Sequence, residues 1–163
     1  MSISRMTLLA VLTLSVSILA VCGIALSAVM INEIEVNPPA SQPKWVELFN
    51  DGDQAVDISG WKITMIDTPW EGAMVVPSGT AIEPAGFYVL EGDKRWEARE
   101  NVTVELIDVA GNVVDRTPQL GDSKSNSFTW GRFPNGKNTG TIGDWAFIMS
   151  SKGKPNGGSL SSY

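Results

Sequence analysis

Apolar and polar residues alternate with a period of two along most of the chain after residue 30. Val102, Val104 and Leu106 fall on one side of a segment whose other side carries Thr103, Glu105 and Ile107. Trp61, Ile63 and Met65 share a face opposite Lys62 and Thr64. Successive side chains of an extended backbone point to opposite faces, so this pattern predicts half-buried strands. The expected strands are Ile31–Val36, Trp45–Asn50, Trp61–Asp67, Met74–Val76, Phe87–Glu91, Val102–Asp108, Val113–Asp115, Ser127–Phe133 and Trp145–Met149. Between them stand Asn37-Pro38-Pro39, Asn50-Asp51-Gly52-Asp53, Glu83-Pro84-Ala85-Gly86, Ala110-Gly111-Asn112 and Pro134-Asn135-Gly136. Gly and Asn tolerate positive φ and Pro presets a negative one, so these clusters read as turns. Short strands with turn signals at intervals of about 8–12 residues point to a sandwich or barrel. Only Lys94–Glu100 has a helical character, of two turns at most.

The first 31 residues break the pattern. Arg5 precedes an apolar run from Met6 to Ile31, and no charge follows until Glu33. The small residues of Ala25-Leu26-Ser27-Ala28 suit a signal peptidase cutting next to Ala28. The run is also long enough to span a bilayer if it is retained. Cys22 sits in a lipobox-like Leu19-Ala20-Val21-Cys22, with Val21 where a small residue belongs. Residues 1–28 are therefore expected to be a signal peptide or membrane anchor, 29–157 one β-sandwich and 158–163 a flexible tail. This makes the protein secreted or membrane-anchored, on the extracytoplasmic side.

Composition narrows the chemistry. Arg5 is the only charge of the leader, so the remainder carries 11 basic against 18 acidic side chains, a net charge of −7. That balance repels phosphate backbones, and no nucleic-acid partner is expected. The single cysteine lies in the leader, so the exported part rests on a hydrophobic core without disulfides. The absence of histidine removes the commonest general base and transition-metal ligand.

Few motifs survive scrutiny. Gly131–Asn138 nearly spells a phosphate-binding loop, but Asn138 replaces the magnesium-binding hydroxyl and Thr139–Gly143 cannot open a helix. It reads as a hairpin turn at Asn135-Gly136. Asp51, Asp53 and Asp57 form an acidic turn that is a candidate calcium site, without EF-hand spacing. No other cofactor is expected. Alternation places Glu33 and Glu35 on a face with Ile31, and Glu47 on one with Trp45 and Phe49. A buried Glu there would need a donor such as Arg132, Lys62 or a backbone N–H. Such residues are commonly acceptors that pin a loop. A carboxylate pair acting on polysaccharide is the enzymatic alternative. Among six tryptophans, Trp61, Trp130 and Trp145 fall in core registers. Trp70 and Trp96 stand in loop-like surroundings, which makes them candidate ligand contacts. Asn101-Val102-Thr103 is a glycosylation sequon.

The order of the segments is more specific than any one of them. Ile31–Pro39 is followed by Trp45-Val46-Glu47-Leu48-Phe49-Asn50 and by Val56–Ile63 with its Ser59-Gly60-Trp61. Downstream come Ile82–Leu90, Val104–Asp108, Gly111–Asp115, Ser127–Gly136, Trp145 and Gly153-Lys154-Pro155-Asn156. This series resembles the lamin-tail domain, as found at the end of nuclear lamins and in exported prokaryotic proteins. The resemblance spans residues 30–157. It implies an immunoglobulin-like sandwich of two sheets with a binding or anchoring role, and no catalysis by the domain itself. Asn32, Glu33, Glu47, Asn50, Gly60 and Trp61 fall on the family's signature positions, which the resemblance makes structural: Asn50 for a turn, Gly60 for backbone shape, Trp61 for core. The reading is an exported surface module binding protein or glycan at the cell envelope, with a calcium-stabilised module as the alternative. An uncut leader would add the membrane as a partner.

Overall fold

The computed structural model describes residues 28–96 and 101–157. Two antiparallel sheets form an all-β sandwich of immunoglobulin-like type. The larger has the order β12-β11-β1-β2-β7, built from Trp145–Met149, Phe128–Arg132, Val29–Glu35, Trp45–Asn50 and Phe87–Glu91. The smaller runs β10-β8-β4-β5, from Leu120–Gly121, Asn101–Ile107, Lys62–Asp67 and Trp70–Val75, with β9 (Val113–Arg116) also paired to β8. A two-stranded ribbon, β3 (Val56–Asp57) with β6 (Ala81–Ile82), closes one side. A single 3-10 turn, Ile142–Asp144, leads into β12.

The period-two faces meet between the sheets. Ile31, Ile34, Val46 and Leu48 from the larger sheet oppose Ile63, Met65, Val102, Val104 and Leu106 from the smaller, all with no exposed surface. Trp61 and Trp145 lie buried at the margins of this core. Removing such aliphatic surface from water is the main stabilisation of a sandwich without disulfides, roughly 25 cal/mol per Å².

The structure alters several expectations. The short strands β3, β6 and β10 were not anticipated, because two-residue ladders carry no periodicity. The strand expected at Met74–Val76 begins instead at Trp70, so β4 and β5 form a hairpin across Thr68-Pro69. In the Lys94–Glu100 segment, Lys94 and Arg95 form a turn, Trp96 follows it, and the rest lies outside the described residues. The leader before Ala28, with Cys22, and the tail 158–163 also lie outside them. No helix among the described residues is long and apolar enough to cross a membrane.

The largest departure is in β1. Its register with β2 shifts between Ile31 and Glu33, so Ile31 faces Leu48 while Glu33 faces Glu47. This β-bulge at Asn32 inserts one residue and reverses which side chains point inward. Ile31 and Ile34 are both core residues, and Glu33 and Glu35 are turned to the outer face with Trp45 and Glu47. The expectation that Glu33 shares a face with Ile31 is therefore corrected. A strict alternation cannot register an extra residue.

Candidate functional site

The bulge creates the most polar part of the interior. Glu33 and Glu47 stand opposite one another on neighbouring strands, and neither has exposed surface. Glu33 Oε1 accepts from Thr129 Oγ1 at 2.6 Å and from the Ser151 N–H at 2.8 Å. Its Oε2 accepts from Ser151 Oγ at 2.6 Å. Glu47 accepts from Asn32 Nδ2 at 2.9 Å and from the Gly153 N–H at 2.6 Å. Of the expected donors, neither Arg132 nor Lys62 serves; a backbone N–H, that of Gly153, does, together with the Asn32 side chain. Three of these five bonds come from the segment after β12. Residues 150–157 fold over the outer face as a strap, and Asn156 fixes its end by donating to Asn32 O and Arg132 O. Lys152 reaches Glu91 at 2.5 Å and lies over the Trp45 ring.

Burial pushes the Glu47 carboxyl up to about 7, against the lowering effect of its hydrogen bonds from Asn32 and Gly153. Glu35 is likewise raised to about 7 by burial, with the Asn37 N–H opposing the shift. The Glu33 and Glu47 carboxyl groups are sealed under the strap. A pair that must protonate a glycosidic oxygen has to face a cleft holding substrate, and Glu33 and Glu47 instead have every oxygen committed to the protein. As placed here, the Glu33–Glu47 pair presents no exposed oxygen to a substrate.

A second polar cluster joins the two sheets. The buried Arg132 guanidinium pairs with Asp115 of β9 at 3.0 Å and donates Nε to Ile31 O at 2.7 Å. Asp115 also accepts the Ile31 N–H at 2.8 Å, so the residue before the bulge has its N–H satisfied across the sandwich and its C=O by Arg132 of the neighbouring strand. The Trp145 ring lies against the same guanidinium, 4.7 Å from its centroid. Asp144 holds Thr139 through its N–H and Oγ1, each at 2.6 Å. Although burial acts to raise the Asp144 carboxyl, these bonds leave it below the ordinary range.

The signature positions occupy structural roles. Asn32 donates to Glu47 and to Asn135 Oδ1, and its own Oδ1 accepts the Gly136 N–H. The buried Asn50 donates to Gln54 O and Ile82 O and accepts from the Gly52 N–H, which clamps the loop after β2. Gly60 has φ +76°, in the left-handed region. Trp61 packs in the core.

The remaining candidates do not converge. Asp51, Asp53 and Asp57 are exposed, Asp57 being engaged by the Ser59 N–H. Among the described residues no group of three carboxylate, His or Cys side chains is placed to hold a metal ion. Asp51, Asp53 and Asp57 do not form such a group. Trp96, expected at the surface, is 2% exposed and belongs to the core. Its neighbours Lys94 and Arg95 face solvent while the ring turns inward, and Gly92 leaves the room it fills. Trp70 is half-buried in β5 and leans over Gly72. Asn101 is exposed at the start of β8, as glycosylation would require.

Ser151, Gly153, Asp115 and Asn156 escaped sequence reasoning as polar partners. The exposed aromatic ladder of β11 and β12 escaped it too. Phe128 stacks on Phe147 at 5.6 Å, and Trp130 tilts against Phe147 at 5.4 Å, beside an exposed Met149. The signal for it is the apolar run Trp145–Met149 beside Phe128 and Trp130, of which Trp130 and Trp145 alone read as core.

An immunoglobulin-like sandwich with sealed carboxylates and an exposed aromatic edge is a structural or binding module. The family model for the lamin tail domain matches residues 24–121, more than half of the chain, and the chain belongs to that family of immunoglobulin-like domains. No curated protein matches the sequence. β11, β12 and the strap lie beyond the matched residues, yet they complete the larger sheet and satisfy Glu33 and Glu47.

Proposed function

We propose that this protein is an exported, non-catalytic surface module that binds protein or glycan at the cell envelope. The observation that carries the reading is the contrast between the two kinds of chemistry on the molecule. Its buried acids are consumed in holding the fold together, while Phe128, Phe147 and Met149 remain exposed beside Trp130 on an open sheet edge. Contiguous apolar surface of this kind on a soluble domain marks an interaction site. The half-buried Trp70 is a further contact residue; Trp96 is withdrawn from that role by its burial. The apolar run 6–31 supports export, with the leader either removed or kept as an anchor. In the producing cell, fractionation with an antibody to the domain should find it outside the cytoplasm. The purified protein, screened against envelope proteins and glycans, should capture at least one of them. Cytoplasmic retention together with an empty screen would refute the reading.

A further inference from the structure

β12 is an edge strand whose only neighbour among the described residues is β11. The bonds from Ser150 N–H to Ser127 O and from Phe133 N–H to Asp144 O stand at the two ends of that ladder. Bonded pairs alternate along an antiparallel ladder, so Ala146 and Ile148 also bond to β11. The C=O groups of Trp145, Phe147 and Met149, with the N–H groups of Phe147 and Met149, therefore point away from the sheet. The Trp145 N–H is the exception, because it donates to Ile142 O of the preceding turn.

The side chains of these three residues share one face. Phe147 touches Phe128 and Trp130, Trp145 lies against Arg132, and Trp130 Nε1 donates to Gly121 O of β10 at 2.8 Å. This is the face turned toward the smaller sheet, and the smaller sheet leaves its end uncovered: Phe147 is 40% and Met149 61% exposed. Sheet edges are usually blunted by charge. β7 carries Glu91 and β5 carries Glu71, but no charged residue lies between Trp145 and Met149. On a domain with 11 basic against 18 acidic side chains, this uncharged strand is where the approach of a like-charged copy is least opposed.

We propose that β12 pairs antiparallel with β12 of a second copy, centred on Phe147, and joins the two larger sheets across a two-fold axis. Phe147 is the middle residue of the five, so this register overlaps the whole of both strands. Each Phe147 exchanges N–H and C=O bonds with its counterpart, and each Met149 N–H meets the other copy's Trp145 C=O. The occupied Trp145 N–H is not needed. Trp130 and Phe147 of both copies fall in one cross-strand row, and each Met149 lies beside the other Trp145. Phe128, Phe147 and Met149, exposed by 38%, 40% and 61%, offer roughly 300 Å² of apolar surface per copy. A standard interface buries ~800 Å² per partner, so main-chain bonds carry much of the affinity and the dimer is reversible. The inference rests on the reading of this edge as an interaction site and names a second copy as what covers it.

The test uses the full chain in nonionic micelles, with Cys22→Ser so that one introduced cysteine reports at a time. Phe147→Cys puts two thiols at the two-fold axis with their Cα atoms about 5.5 Å apart, within disulfide reach. Met149→Cys lies on the same edge, but its own copy is four residues away along the strand, about 13 Å. Diamide should therefore give a covalent dimer with Phe147→Cys and none with Met149→Cys. Sedimentation of the Cys22→Ser chain should show a dimer that grows with concentration and with salt, which screens the acidic bodies from each other. Phe147→Asp sets two carboxylates directly opposite each other and should weaken association at least about tenfold. If that variant does not fold, Met149→Asp at the more exposed position replaces it, with a loss expected in the same direction. A monomer at every concentration, equal cross-linking at both positions, or association untouched by the aspartate variant would overturn the proposal. A monomer that captures an envelope component through Phe147 would refute self-pairing and leave the module reading standing. A dimer with an empty screen would do the reverse.

Discussion

The strap over the outer face hangs on Glu33, and Glu33→Ala tests what that side chain contributes. The substitution removes the acceptor of three hydrogen bonds of 2.6–2.8 Å. Two of the donors have somewhere else to turn: Thr129 Oγ1 lies 3.5 Å from Ile148 O, and Ser151 Oγ lies 2.8 Å from Asn156 Oδ1. The Ser151 N–H has no such alternative acceptor, and an orphaned buried donor costs about 1–3 kcal/mol. The lost side-chain packing adds roughly 1 kcal/mol. We expect Glu33→Ala to lower the unfolding free energy by about 2–4 kcal/mol, read from urea denaturation with an unchanged slope. Glu33→Gln keeps a carbonyl for the Ser151 N–H and should cost less. Native-state hydrogen exchange separates local from global loss: Ser151 and Gly153 amides should exchange faster in Glu33→Ala while β1 and β2 stay protected. In a double-mutant cycle with Ser151→Ala, the two changes should be strongly non-additive. A midpoint within about 0.5 kcal/mol of wild type, with unaltered exchange at Ser151, would mean that the strap is held by something other than this carboxylate.

Trp61→Ala should cost about 3–5 kcal/mol in equilibrium unfolding, since the ring is buried as part of the core cluster; a midpoint that barely moves would contradict its place in the core. Arg132→Met leaves Asp115 buried without its cation and should cost a similar 3–5 kcal/mol, whereas replacing both partners with apolar residues should recover much of the loss; an Arg132→Met protein as stable as wild type would show that the pair does not join the sheets. Glu35 and Glu47 have folded-state values raised to about 7 from 4.5, so the folded protein holds their protons more tightly than the unfolded chain. Their effect is most favourable below pH 4.5 and is lost as pH rises through 7, by the order of a few kcal/mol for the two together. Asp144, shifted the other way, withdraws its contribution as the solution becomes more acidic than its ordinary range. Thermal melts should therefore show stability rising from pH 7.5 to about 5 and falling below about 4, with a shallower rise in Glu47→Gln; a flat profile over the upper interval would disprove the raised values.

How far the sequence reached depends on the range over which each feature is encoded. The inward face of β8, with Val102, Val104 and Leu106, is a local property, and alternation alone identifies it. The bulge at Asn32 is not, because a single inserted residue leaves apolar side chains on both parities and shows only when β1 is laid against β2. Trp96 failed for a related reason: Lys94 and Arg95 beside it describe the solvent side of a turn and say nothing of the ring folded back over Gly92. The strap has no periodicity, and its bond from Ser151 to Glu33 spans 118 positions. What a sequence does carry about such contacts is an anomaly of residue type. Glu47 stands between Trp45 and Phe49, and Arg132 between Trp130 and Phe133, in runs otherwise suited to a core. A charge in that setting must find a partner or lose its charge, so its presence announces a buried network before any coordinates exist. The identity of the partner follows only from the fold. That is why Glu47 could be recognised from the chain as an acceptor, while Asn32 and Gly153 could not be named as its donors.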